Sequence, residues 1–254
     1  MPWLPLAKAT TKRKMEQRQI QSSITAMKSF TFVIALIAGL ATSAFAESNA
    51  RILAIGDSLM AWHGMTGRSI AHTVGRELDE PVMNNSIGGA KIIYKLPLSG
   101  AMGMKIGNQL TKGDWDWVIM NGGGNDLWLG CGCNSCEKKM RKMISPDGRR
   151  GEIPRLVDTA RKSGAKVVYV GYLRSPGVGS VIDACRDEGD ALEDRISKLA
   201  EILPNVYFVS LADLVPHGDR SYHGIDMIHP SLKASDAIGQ RVVKVIREND
   251  PARQ

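Results

Sequence analysis

The chain has 254 residues, 43% hydrophobic and 23% charged, with a formal net charge of +7; such a composition is ordinary for one globular domain. The charge is unevenly placed. Residues 1–46 hold Lys8, Lys12, Arg13, Lys14, Arg18 and Lys28 against the single acid Glu16, so the rest of the chain carries only +2. That balance gives no nucleic-acid footprint.

In chain order, "MPWLPLAKATTKRKMEQRQIQSSITA" (1–26) is polar, basic and aperiodic, and reads as an unstructured extension ahead of a start at Met27. Residues 27–46 follow as a signal peptide: Lys28, an apolar run "FTFVIALIAGLA" (30–41), and small residues ending Ala44-x-Ala46. Twelve apolar residues fall short of the ~20 that span a bilayer. Export to a periplasm or the medium, with no stable membrane insertion after cleavage, is the expectation; an uncleaved anchor over 30–46 is the alternative.

The domain proper, 47–254, alternates strands and helices. Five β-like runs stand at 51–56, 82–86, 116–122, 165–172 and 205–210, with helical patterns near 66–79, 102–111, 151–163, 187–202 and 232–248. The last shows an apolar stripe at Ala237, Ile238, Val242, Val243 and Ile246, the three-to-four spacing of a helix face. Alternating βα units predict a parallel sheet, and near-continuous apolar strands predict cover on both faces. The fold class is therefore α/β, a three-layer α/β/α sandwich on a five-stranded parallel sheet.

The strand ends carry the chemistry. Strand one stops at Gly56-Asp57-Ser58-Leu59, strand two runs into "NNSIGGAK", strand three into Gly123-Gly124-Asn125-Asp126, and "HGIDMIHPS" sets Asp226 three residues before His229. Ligands in open α/β sheets bind at this carboxyl edge. These four blocks, in this order, resemble the SGNH (GDSL) hydrolases: GDSL at 56–59, a glycine block at 84–89, GxND at 123–126 and DxxHP at 226–230. The resemblance spans the whole domain and implies a flavodoxin-like sandwich. It assigns Ser58 as nucleophile, His229 as general base and Asp226 as orienting carboxylate, because a serine hydroxyl needs a base held in the right tautomer. It also implies an oxyanion hole from the backbone N–H groups of Ser58 and Gly89 and the side chain of Asn125. Gly88 is the neighbouring alternative to Gly89, and Met227 stands where many members carry glycine.

Other residues read differently. Ser58 alone would be a helix cap. Asp57 and Asp126 fit structural turn roles, and His63 and His223 are rival bases without the DxxH context. Trp62 and Trp128, close behind two of the blocks, are candidate walls of a substrate pocket or plain packing at the sheet edge. "LSGAMGMKIG" (98–107) reads as core filler. Cys131, Cys133, Cys136 and Cys185 suggest two disulfides in an exported chain, one within 131–136 and one to Cys185, bracing a lid beside the site; a zinc ion held by all four thiolates is the rival. The reading is an exported serine esterase working without metal or organic cofactor. Its partner is a small-molecule, glycan or lipid ester, acylated carbohydrates first and lipid or aryl esters second. Acyl transfer to a sugar hydroxyl and a non-catalytic glycan-binding module are the rivals from other classes.

Overall fold

A computed structural model describes residues 50–177 and 179–254. The predicted extension and signal peptide lie outside the described residues. The sheet holds β1 (Ile52–Ile55), β2 (Val82–Asn84), β3 (Trp117–Met120), β4 (Lys166–Val170) and β5 (Val206–Val209). All pairings are parallel, in the order β2-β1-β3-β4-β5. The helices are α1 (Ser58–Ala61), α2 (Ile70–Leu78), α3 (Gly124–Cys131), α4 (Glu137–Met143), α5 (Glu152–Lys162), α6 (Arg186–Ile202) and α7 (Leu232–Asn249).

Side chains two apart share a face of a strand, and the two faces here have separate cores. Ile52, Ala54, Trp117, Ile119, Val168 and Val170 pack against Ile70 and Val74 of α2 and Ile238, Val242 and Ile246 of α7. Leu53, Ile55, Val118, Met120, Val167 and Tyr169 pack against Met140 and Met143 of α4, Ile153 and Val157 of α5, and Leu192 and Ile196 of α6. Each Val, Leu, Ile or Met side chain among them, fully buried, contributes about 1.5–3 kcal/mol. The expected three layers are present.

Three predicted features change. The pattern at 66–79 becomes a helix only from Ile70, because Gly67 turns left-handed (φ 68°) and Ser69 caps the helix by accepting from the His72 N–H. No α-helix occupies 102–111. A single turn at Pro97–Ser99 passes into a π turn at Gly100–Met104, which Gly103 ends with φ 97°, and a 3-10 turn follows at Ile106–Gln109. The cysteine segment, expected as a disulfide-braced lid, is flanked by α3 and α4. Met140 and Met143 of α4 are buried in the core. The bridges are Cys131–Cys136 and Cys133–Cys185. With all four sulfurs bonded, none remains as a thiolate for zinc.

Candidate active site

The carboxyl ends of β1, β3 and β4 and the loop before α7 converge on one cavity of about 110 Å³. Ser58, Asn125, Trp128, Tyr172, Ile182, Leu192 and His229 are among the residues that line it.

Ser58 enters the cavity from the first residue of α1. Asp57 caps that helix, its Oδ1 accepting from the Leu59 N–H at 3.0 Å. Asp57 is otherwise buried and tied to the end of β3. Its N–H donates to Asn121 Oδ1 at 3.1 Å, and Asn121 Nδ2 donates back to Asp57 Oδ1 at 3.0 Å. Gly56 is required here because a Cβ would lie 1.9 Å from Asn121 Oδ1. Burial raises the Asp57 pKa, against the bonds from Tyr172, Asn121 and the Leu59 N–H. Asp57 is thus the structural residue that the sequence suggests.

His229 and Asp226 share a closed loop. The Gly224 N–H donates to the His229 carbonyl at 2.8 Å, and the Ser231 N–H to the Tyr222 carbonyl at 2.9 Å. His229 Nδ1 lies 2.5 Å from Asp226 Oδ2, while Asp226 Oδ1 accepts from the Ile228 and His229 N–H groups at 3.0 Å each. Partial burial pushes the Asp226 carboxyl upward, but the imidazole and the two amides outweigh it and hold the pKa below the usual value. Met227, in the slot where glycine is frequent, sits at φ 59°, a left-handed value that favours glycine. Its side chain is buried and its carbonyl accepts from Ser180 Oγ at 2.8 Å.

Asn125, at the start of α3, lines the cavity and donates from Nδ2 to the Ala90 carbonyl at 3.1 Å. Next to it, the buried Asp126 accepts from the Ile92 and Ile93 N–H groups at 2.8 and 2.9 Å. Burial raises its pKa to about 6 against those two bonds. Asp126 therefore braces the segment just after the glycine block. Gly89 takes the third place of the turn Ile87–Ala90 with φ 79°, as a type II turn demands of glycine, whereas Gly88 is exposed. Among the described residues neither the Ser58 nor the Gly89 N–H has a protein acceptor. Gly89 does not line the cavity.

The remaining candidates separate. Trp128 lines the cavity; Trp62 does not, and stacks on His229 instead. His63 Nε2 is 3.0 Å from the Pro230 carbonyl, so this ring braces the His229 loop. His223 is buried, neither ring nitrogen has a partner among the described residues, and burial lowers its pKa. Cys185 lines the cavity and carries the bridge to Cys133 into its wall.

Sequence reasoning missed Tyr172. Its hydroxyl donates to Asp57 Oδ2 at 2.5 Å and accepts from the Gly124 N–H at 2.9 Å, joining the serine turn to the Asn125 turn. Burial, with Asp57 beside it, raises the phenol well above its ordinary pKa, so it remains a donor. The available signal was position: Tyr172 ends the predicted strand 165–172, at the carboxyl edge. Arg174 was also missed; it lines the cavity and pairs with Asp190 and Glu193.

Solved structures of low identity share this fold. TesA matches with a TM-score of 0.56 and 20% identity over 78% of this chain and 98% of that one. The esterase EstA from Pseudoalteromonas sp. matches at 0.53 and 18%, over 79% and 97%. An acetyl xylan esterase from the rumen bacterium Butyrivibrio proteoclasticus matches at 0.51 and 16%, over 79% and 64%. No curated protein matches. The sequence model of the GDSL-like lipase/acylhydrolase family matches residues 54–237. The chain belongs to that family and is a carboxylic ester hydrolase of the SGNH type.

Proposed function

We propose that the protein is an exported serine esterase in which Ser58, His229 and Asp226 form the catalytic triad. The reading rests on one observation above the others: the imidazole paired with Asp226 at 2.5 Å faces the same cavity as Ser58 and Asn125. Ser58 Oγ attacks the ester carbonyl as its proton passes to His229 Nε2. The tetrahedral intermediate collapses to an acyl-serine, and the departing alkoxide takes that proton. Water then loses a proton to His229, attacks the acyl-serine, and the acid leaves with Ser58 reprotonated. Asp226, held ionised, fixes the Nδ1–H tautomer and balances the imidazolium. The amides of Ser58 and Gly89, with Asn125 Nδ2, are the donors for the developing oxyanion; losing one such donor typically costs about 10²–10³ in kcat.

The cavity favours an ester with an apolar acyl group, because Leu127, Trp128, Ile182, Leu192 and Ile228 all line it. Acetylated sugars, the first expectation from sequence, are the competing substrate class. Two disulfides suit an oxidising compartment and support export. A panel of p-nitrophenyl esters of rising chain length, run beside acetylated sugars, tests the substrate. Best turnover on an acyl group longer than acetyl is expected, and a preference for acetylated sugars overturns that assignment. Ser58→Ala abolishes turnover and labelling by an organophosphonate; retained turnover refutes the triad.

A further inference from the structure

We infer that the excursion between β2 and β3 is a peripheral docking surface for a bilayer that carries anionic headgroups. Two independent features of this segment meet there. The first is charge. No Asp or Glu lies between Glu80 and Asp114, while Lys91, Lys95, Lys105 and Lys112 do. Among the described residues the lysine–carboxylate pairs involve Lys162, Lys166, Lys198, Lys233 and Lys244, none of them in this segment. Lys91 and Lys139 of the basic helix α4 both act on Asp126, so positive charge continues from the excursion onto α4.

The second feature is an apolar face with nothing on it. Leu96, Leu98 and Met102 are 64%, 83% and 76% exposed. Leu98 and Met102 stand four residues apart in the helical stretch that starts at Pro97, so they share one side of it. Ordinarily such a stripe turns inward. Here the inward side is already filled by the buried Gly100, Gly103 and Ile106. The backbone is locked beneath it: the Lys91 N–H donates to the Met104 carbonyl, the Ile106 N–H to the Lys91 carbonyl, and Asn108 Nδ2 to the Gly100 carbonyl. The apolar side chains are therefore held outward on a fixed scaffold instead of folding back.

Leucine and methionine held outward on a segment whose lysines form no ion pair among the described residues match a bilayer interface, where apolar groups enter below the headgroups and cations meet their phosphates. A second copy of this chain docked symmetrically through this segment would bring one acid-free, lysine-bearing segment against another, which charge disfavours. The excursion is rooted on the proposed site through Asn125 and Asp126, which hold Ala90, Ile92 and Ile93. Docking would thus set down the Asn125 side of the cavity at the interface. The inference does not depend on the serine chemistry.

Co-sedimentation of the full chain with phosphatidylcholine vesicles, with and without phosphatidylglycerol, tests it. Parent and variants share residues 1–49, so each partition is compared with that of the parent. Binding to phosphatidylglycerol vesicles that weakens as salt rises is expected. Lys95→Gln lowers the partition about fivefold and Leu98→Ser about tenfold. Vesicles also slow peroxide oxidation of Met102. Variants that bind like the parent overturn the inference, as does equal binding to both vesicle types. Self-association abolished by Leu98→Ser, without vesicle binding, also overturns it and identifies a second copy as the occupant.

Discussion

The indole of Trp62 lies face to face with the His229 imidazole, ring centroids 3.8 Å apart and planes 5° from parallel. Trp62 is the last-turn neighbour of the proposed nucleophile, since its N–H donates to the Ser58 carbonyl at 2.9 Å. One residue thus fixes the serine turn with its backbone and the base with its ring. Stacked aromatic pairs contribute about 0.5–1.5 kcal/mol beyond buried area. Trp62→Leu should lower kcat up to about tenfold with little change in KM or Tm, because the side chain is partly exposed. Trp62→Phe should restore most of the loss, and steady-state kinetics on both variants checks this.

The acid limb of the activity profile belongs to one proton. Asp226 has a depressed pKa, so it stays charged to lower pH than an ordinary carboxylate, and its contribution to stability, full above the ordinary value, is lost as the pH falls through the depressed one. The imidazole must be neutral to accept the serine proton. A plot of log kcat/KM against pH should therefore fall with unit slope on acidification. A slope of two would mean that Asp226 titrates alongside the base. Asp226→Asn should cost about 10⁴ in kcat by holding the wrong tautomer.

Ionisation of the buried Asp126 works against stability at neutral pH. Its folded pKa of about 6 lies above the unfolded value, so the folded state holds the extra proton between them. The associated stability is full below about pH 4 and is lost as the pH rises through about 6. Between about pH 5 and pH 7.5 the loss is of order 1 kcal/mol. Asp126→Asn should flatten this part of the Tm–pH curve. It should also lower Tm overall, because one of the two Ile92 and Ile93 amides loses its acceptor. Calorimetry of parent and variant across that range measures both effects.

The two disulfides should separate by experiment. Cys133–Cys185 spans 52 residues and Cys131–Cys136 only 5. Constraint of the unfolded chain gives about 4 kcal/mol for the first and about 2 kcal/mol for the second. Replacing Cys133 and Cys185 by serine should lower Tm more than replacing Cys131 and Cys136. It should also blur chain-length preference, since Cys185 belongs to the cavity wall. Denaturation curves and the ester panel on both double variants decide it.

Strands β1, β3 and β4 were legible because a parallel strand covered on both faces is nearly continuous in apolar residues, as "ILAI", "WVIM" and "VVYV" are. Helix α7 was legible for a related reason: its single buried stripe repeats at helical spacing. The misreading at 102–111 has a physical source in Gly103, whose left-handed backbone ends the turn while the neighbouring apolar residues keep a helix-like spacing. Helices α3 and α4 were hidden by Gly124, Gly130, Gly132 and the cysteines, residues of poor helix propensity held by packing and bridges. Within the site, Ser58, Asn125, Asp226 and His229 could be named because each sits in a short local pattern. Tyr172, Arg174, Ile182 and Leu192 could not. They reach the cavity because β4 lies beside β3 and α6 crosses behind it, an adjacency that no local spacing records.

The bridge between Cys133 and Cys185 also decides what a protease can release. Everything from α4 to β4 lies inside that covalent ring, together with Arg174, Ser175 and Ile182 of the cavity wall. A single cut between Cys133 and Cys185 would sever the backbone without freeing either piece. The nicked protein would run as one species on a non-reducing gel and as two after thiol treatment. Sampling the same digest both ways would therefore reveal a hidden break that activity alone overlooks.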